Sequence, residues 1–369
     1  MNLAPIYDLY SDYLIVNQGQ ATATSLSDLL ENKYSHDKIT RALSKELMTS
    51  KNLWKVVKPQ IKKINDKEGV LILDDTVEEK PHMRQNELVS WHYDHVTGRH
   101  IKGINQLTAL YHNKQVSLPV GYALIEKDTV VFDKKKNKDK RVASICKNTL
   151  FRNLIKNSIA NQLLFKYILA DKWFASVANF NFIASLEQHF IMPLKNNRKV
   201  ATSKENQQKG SYQLVESLVI EENQTLQVYL EDVEFPLLLT KQLFKNGDAE
   251  VVFYLVTNDL AADAVEVNTQ YQKRWQVETF YKSVKSNFCY ANSPTYTLKT
   301  QNNHLFLSMV AFAKMEMLKT VQNTNHFAMK RMLNANALKA SWKELKNLKE
   351  EYKILTISPK YKHMKKCAA

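Results

Sequence analysis

Residues 69–76 read Gly69-Val70-Leu71-Ile72-Leu73-Asp74-Asp75-Thr76. Four apolar side chains in a row, with no polar alternation, describe a strand covered on both faces. Two aspartates then interrupt the run, so carboxylates leave its buried end. Two further strands are predicted over 104–111 and 116–125, the second broken by Pro119 and Gly121. A basic loop follows from Lys134 to Arg141, then a helix through Leu150, Leu154 and Ile155. A second apolar strand, 165–170, also runs into an acid, Asp171.

The order strand, strand, strand, helix, strand, with acids leaving the first and fourth strands, predicts an α/β, ribonuclease-H-like catalytic core. In such a sheet the first and fourth strands are neighbours, which brings their acids together. A helix over 175–188 and a strand over 189–194 continue it. From 195 to 261 apolar and polar residues alternate between turn signals at Asn196-Asn197, Lys209-Gly210, Glu222-Asn223 and Asn246-Gly247, the pattern of a β-rich insertion. The expected divisions are 1–66, a helical DNA-binding domain; 67–194, the first part of the core; 195–261, the insertion; 262–325, the last part of the core; and 326–369, a helical, basic C-terminal region that frays after Pro359. Ser25 and Ser35 are the expected N-caps of the second and third helices. The third of these, carrying Lys38, Thr40, Arg41 and Lys45, reads as the second helix of a helix-turn-helix.

The last part of the core holds Tyr271, Arg274, Glu278 and Lys285 in a segment, 270–286, free of Gly and Pro. On one continuous helix at about 100° per residue these four would project within an arc of about 60°. A carboxylate is thereby set among a phenol and two cations. A solvated charge stripe would more commonly pair Glu and Lys at i, i+4. Asp75, Asp171 and Glu278 form a candidate catalytic and metal-binding triad. Because successive side chains on a strand point to opposite faces, only one of Asp74 and Asp75 can join it. Three close carboxylates repel unless a cation sits among them, and hard oxygen donors favour Mg²⁺ or Mn²⁺, two ions in the usual arrangement for phosphodiester chemistry.

Composition agrees on the partner. The 369 residues include 52 Lys and Arg against 37 Asp and Glu, a formal charge of +15, with a sequence pI of about 9.4. The cations recur in runs, at Lys134-Lys135-Lys136, Lys140-Arg141, Arg198-Lys199 and from Lys360 to Lys366. Such a field draws nucleic acid. No apolar run reaches the ~18 residues of a membrane span, and residues 1–20 lack the basic start of a signal peptide, so a cytoplasmic protein is expected. The stretch 305–313 reads as a core helix. Cys146, Cys289 and Cys367 are odd in number and far apart, which fits free thiols rather than a disulfide framework or zinc ribbon.

Asp75-Thr76, Asp171 and the Tyr271/Arg274/Glu278/Lys285 set together resemble the DDE transposases of bacterial insertion sequences, specifically the insertion-sequence-four family with its Y-R-E-K signature. The resemblance covers about residues 69–290, and the insertion falls where that family has one. It implies a nucleoid-associated enzyme that binds terminal inverted repeats, cuts the element ends and joins them to target DNA, as a homodimer on DNA. It further implies that Asp75, the acid directly before Thr76, Asp171 and Glu278 ligate metal while Tyr271, Arg274 and Lys285 hold DNA phosphates. The family's second motif has Gly or Ala two residues after the aspartate; here Asp171 is followed by Lys172, Trp173 and Phe174. Relatives stack a flipped base on a tryptophan of the insertion, yet none of Trp54, Trp91, Trp173, Trp275 and Trp342 lies there, leaving Tyr212, Tyr229 or Phe235 for that task. The alternatives are a transposase-derived DNA-binding protein without cleavage and a generic metal-dependent nuclease.

Other groupings have plainer readings. His82, His92, His95 and His100 match no metal spacing with a mechanism and read as surface or DNA-facing residues. The stretch 87–102 reads as a loop entering a DNA channel. Trp275 reads as core.

Overall fold

The computed structural model describes residues 5–94, 98–134, 137–221, 223–246 and 249–352. His95, Lys135, Lys136, Glu222, Gly247, Cys367 and the basic run Lys360 to Lys366 lie outside them, as does the expected fraying after Pro359. The chain opens with helices α1 (Pro5–Val16), α2 (Ala23–Leu29), α3 (His36–Lys45) and α4 (Ser50–Ile64). Strands β1 (Val70–Glu79), β2 (Ser90–Asp94), β3 (Arg99–Asn113), β4 (Val116–Leu124), β5 (Thr129–Asp133) and β6 (Lys138–Val142) follow. Next come α5 (Lys147–Ala160), β7 (Tyr167–Ala170), α6 (Val177–Ala184) and β8 (His189–Leu194). Short β9 (Lys199–Val200), α7 (Lys204–Gln208) and β10 (Gln213–Leu214) precede β11 (Thr225–Val228), β12 (Leu237–Asn246) and β13 (Ala249–Thr257). The chain then forms α8 (Ala264–Gln272), α9 (Trp275–Asn287), α10 (Leu298–Gln322) and α11 (His326–Glu351).

A mixed, nine-stranded sheet carries the fold in the order β11-β12-β13-β8-β7-β1-β3-β2, with β4 also paired to β3. β1, β7 and β8 run parallel, and β3 is antiparallel to β1. The expected succession of three strands, a helix and a neighbouring fourth strand is therefore present as β1, β3, β4, α5 and β7. The alternating segment between 195 and 261 is not a separate body: β13 pairs antiparallel with β8, so it extends the same sheet. Tyr254 to Thr257 on β13 are buried in succession, and α8 packs on β8, β12 and β13, so the added strands are covered rather than wetted.

Several expectations shift. β1 does not end before the aspartates; antiparallel pairing with β3 holds it to Glu79 opposite Gly103, so Asp74 and Asp75 lie within the strand. The residues expected as a loop over 87–102 supply β2 and the start of β3. The basic segment after Lys134 is partly β6, which pairs only with β5 as a two-stranded ribbon. Pro119 and Gly121 are accommodated by a bulge: Ala109 faces Gly121 while Leu110 faces Pro119, leaving Val120 as the extra residue. A Cβ on Gly121 would stand 2.9 Å from Ser50 Oγ and 3.1 Å from Leu154, so the glycine lets both α4 and α5 approach β4.

The helices of the first 66 residues share one hydrophobic core with the sheet. The link is α10, whose residues 305–313 are all buried, as expected of a core helix. Asn302, Asn303 and His304 of α10 reach the N-terminal helices and their connections. Asn303 accepts from Met48 N at 2.8 Å and donates to Leu43 O at 2.8 Å and Glu46 O at 2.6 Å, fastening the α3–α4 connection. Ser35 caps α3 as expected, but α2 is capped by Thr22, with Ser25 N donating to the Thr22 hydroxyl. Ile39 and Leu43 bury one side of α3, and Lys38, Thr40, Arg41 and Lys45 are exposed on the other. Cys146 and Cys289 are free thiols. Among the described residues no helix is long and apolar enough to cross a membrane.

Candidate active site

The parallel ladder between β1 and β7 sets the site. Leu73 pairs with Ala170, so the next residues in each strand direction are Asp74 and Asp171. Paired positions on parallel strands project to the same face, which sets Asp171 beside Asp74, and Asp75, next along β1, reaches the same cavity. Asp75 accepts from Lys147 Nζ, at the start of α5, at 2.7 Å. Asp74 is thus the aspartate that Arg274 reaches and Asp75, the acid expected in the triad, is the one paired with Lys147.

The signature segment is not one straight helix. The amides of Lys273, Arg274, Gln276 and Val277 bond back three residues, to Gln270, Tyr271, Lys273 and Arg274, a tightened turn that joins α8 to α9. The four side chains therefore do not share one uninterrupted helix face. Tyr271, Arg274 and Glu278 still converge on β1. Arg274 donates from Nη2 to Glu278 Oε1 at 2.5 Å and from Nη1 to Asp74 Oδ2 at 3.5 Å, with its guanidinium 5.7 Å from the centre of the Tyr271 ring. Tyr281, one turn beyond Glu278, donates its hydroxyl to Asp74 O at 2.7 Å. Lys285 is placed elsewhere, donating to Val77 O at 3.0 Å with Glu78 Oε2 3.7 Å away. Even-numbered acids of β1, Asp74 and Glu78, thus face α9, as alternation requires.

Asp74, Asp75, Asp171, Tyr271, Arg274 and Glu278 line one cavity of about 930 Å³. Lys285 is not part of it. The family of DDE superfamily endonucleases matches residues 7–213, more than half of the chain. The chain belongs to that family. The matched span includes Asp74, Asp75 and Asp171 and ends before Glu278. A search of curated proteins found no match. Among solved structures, the "Drosophila P element transposase strand transfer complex" is similar at 15% identity, covering 51% of this chain and 36% of that one, with a TM-score of 0.26. The chain thus spans about a third of the length of that relative, and so low a TM-score carries no argument.

The electrostatics of this DDE superfamily endonuclease centre on Asp74. Burial pushes its carboxyl up to about 7, and the nearby Asp75 and Asp171 charges push the same way, against the pull of Arg274. Burial also raises the Tyr271 phenol, so that it stays protonated beneath the guanidinium. Arg274 is held above its ordinary value; the Tyr271, Asp74 and Glu278 groups around it outweigh the opposing effect of burial. Among the described residues no three His, Cys, Asp or Glu side chains stand close enough to hold a metal ion as arranged. A guanidinium lies between two of the three acids instead.

Two residues near the site were missed in the sequence. Lys147 pairs with Asp75 and stacks 4.2 Å from the centre of the Trp173 ring. Its only sequence signal is its place at the start of the helix that follows the basic segment. Trp275, expected in the core, is 62% exposed at the cavity wall. Tyr212, Tyr229 and Phe235 are half-buried and none of them lines the cavity. Of the histidines, His92 is buried and held neutral, its imidazole pushed down to about 3 by burial, while His82 and His100 are exposed.

Proposed function

We propose that the chain is a DDE transposase that binds terminal inverted repeats and performs metal-dependent DNA cleavage and strand transfer in cut-and-paste transposition, related to the insertion-sequence-four family. The observation that carries this reading is the convergence of acids from residues 74, 171 and 278 on one cavity that also holds Lys172 and Arg274. Endonucleases of this superfamily typically use divalent metal ions. The donor set fits: every acid at the cavity is a carboxylate, and Asp74 and Glu278 already share a cation in Arg274. Asp74, Asp171 and Glu278 would hold Mg²⁺ or Mn²⁺, with Asp75 a neighbour oriented by Lys147. When bound, such ions polarise the scissile phosphate and activate the attacking hydroxyl.

The chain's own residues supply the rest. Tyr281 fixes the backbone at Asp74, and the Tyr271 ring supports Arg274 from below. Arg274 is the group that exchanges partners, leaving the acids for a DNA phosphate, where a planar guanidinium gives paired hydrogen bonds. Lys172, beside Asp171 at the cavity, adds a second cation for the backbone. Lys285, tied to Val77 O and Glu78, acts by bracing β1 against α9 unless DNA draws it away. The protein works in the bacterial cytoplasm on nucleoid DNA, with two copies joining two ends.

The test is cleavage of DNA carrying the sequence on either side of the gene, where terminal inverted repeats are expected, in Mg²⁺ or Mn²⁺, by the intact chain and by Glu278→Gln. Metal-dependent 3′ ends at the repeat boundary, lost in the variant, are expected. Repeat binding without any product would instead mark a transposase-derived DNA-binding protein. Equal cutting of unrelated DNA without joining would mark a generic nuclease.

A further inference from the structure

Helix α4 has the sequence Ser50-Lys51-Asn52-Leu53-Trp54-Lys55-Val56-Val57-Lys58-Pro59-Gln60-Ile61-Lys62-Lys63-Ile64, five lysines and no acid. Leu53, Trp54, Val57 and Ile61 are buried, and the helix packs on β4 and α10. Lys51, Lys55, Lys58 and Lys62 are exposed on the opposite side. Steps of four, three and four residues keep these four within an arc of about 60°. At 1.5 Å per residue they form a line of cations about 16 Å long, each about 4.5–6 Å along the axis from the next.

Among the described residues none of these lysines makes a hydrogen bond or ion pair. Each neighbouring pair is a like-charge contact at i, i+3 or i, i+4, which destabilises an isolated helix. A merely solvated face is served by mixed charges, as on α11, where Glu344, Glu350 and Glu351 stand among lysines. Among the described residues the α4 line has no such relief. Its inner face is locked to the core, so the cations are presented on a rigid rod rather than on a loop. A linear polyanion with closely spaced charges complements that rod.

We infer that the lysine face of α4 is a docking surface for the sugar–phosphate backbone of duplex DNA, lying along one strand and reading no sequence. The inference rests on the transposase reading for its choice of DNA as the polyanion. It also moves the main backbone contact of the N-terminal region from α3, which the sequence suggests, to α4. Each lysine engaged with a phosphate displaces about one counterion, so the logarithm of affinity falls with the logarithm of salt by about 0.9 per contact.

The experiment measures binding of the full chain to a fluorescein-labelled 30-base-pair duplex of arbitrary sequence, by anisotropy, across a range of NaCl concentrations. Replacing Lys51, Lys55, Lys58 and Lys62 together by Gln should make the salt slope shallower by about 3–4, and replacing all four by Arg should preserve it. Unchanged circular dichroism and melting would show that both variants fold. A Gln variant whose slope stays within one unit of the original overturns the inference, as does a chain that binds phosphatidylserine vesicles but shows no salt-dependent binding to the duplex. Failure of the transposase reading is separate: the chain would bind the duplex through α4 yet give no metal-dependent product.

Discussion

His304 is fully buried in α10, and its environment dictates one protonation state. Nε2 lies 2.7 Å from the Cys289 carbonyl, which can only accept, so Nε2 carries the hydrogen and Nδ1 receives the Tyr10 hydroxyl at 3.0 Å. Burial pushes this imidazole down to about 4, against roughly 6.5 in the unfolded chain. Because the folded value is the lower one, its contribution to stability is complete above pH ~6.5 and is lost as pH falls toward the folded value. Working the linkage from those two values, going from pH 7 to pH 5 costs about 2 kcal/mol through His304 alone. His304→Gln keeps a donor for Cys289 and an acceptor for Tyr10 but cannot take up a proton. Urea unfolding followed by tryptophan fluorescence at both pH values, on the native chain and the variant, isolates the effect from other titrating groups. The native chain should lose about 2 kcal/mol more than the variant on acidification. Equal losses would refute the assigned hydrogen-bond roles and, with them, the claim that α1 is fastened to α10 through a neutral histidine.

Two further outcomes follow from named contacts. Asn303→Leu strips partners from Met48 N, Leu43 O and Glu46 O, so urea unfolding should show a loss of about 3 kcal/mol or more, since each buried backbone group left unpaired costs ~1–3 kcal/mol. Trp275→Ala should leave stability within ~0.5 kcal/mol, because the ring is exposed, while weakening binding of a labelled single-stranded oligonucleotide by ~1–3 kcal/mol if a base stacks on it.

The acids were legible in the sequence as a group because each is announced by what precedes it: an apolar run before Asp74-Asp75, another before Asp171, and an arginine one turn ahead of Glu278. Which aspartate of the pair Arg274 reaches was not legible. A one-residue choice on a strand inverts every side chain, and it is fixed here by the pairing of Leu73 with Ala170, which no local pattern reports. The helix through Tyr271 to Lys285 read as continuous because nothing in it forbids a helix; the tightened turn at Lys273-Arg274 follows from seating Tyr271 and Arg274 against β1. Trp275 was misplaced because an indole normally goes inside, and only tertiary packing reveals one held at a cavity wall. The N-terminal helices looked separable since their own pattern is amphipathic. Their buried faces find α10, more than 250 residues downstream, as the contact of Asn303 with Met48 shows.

The proposed role of Asp74, acting with Asp171 and Glu278 while Asp75 is held by Lys147, can be separated from that of Asp75, which lines the same cavity. Metal-dependent cleavage of the repeat-bearing DNA by Asp74→Asn and Asp75→Asn, compared side by side at equal DNA occupancy, tests it most directly. Asp74→Asn, Asp171→Asn and Glu278→Gln should each abolish product, and Asp75→Asn should retain measurable cutting. Cleavage by Asp74→Asn at the native rate, with Asp75→Asn inactive, would contradict the proposed role of Asp74.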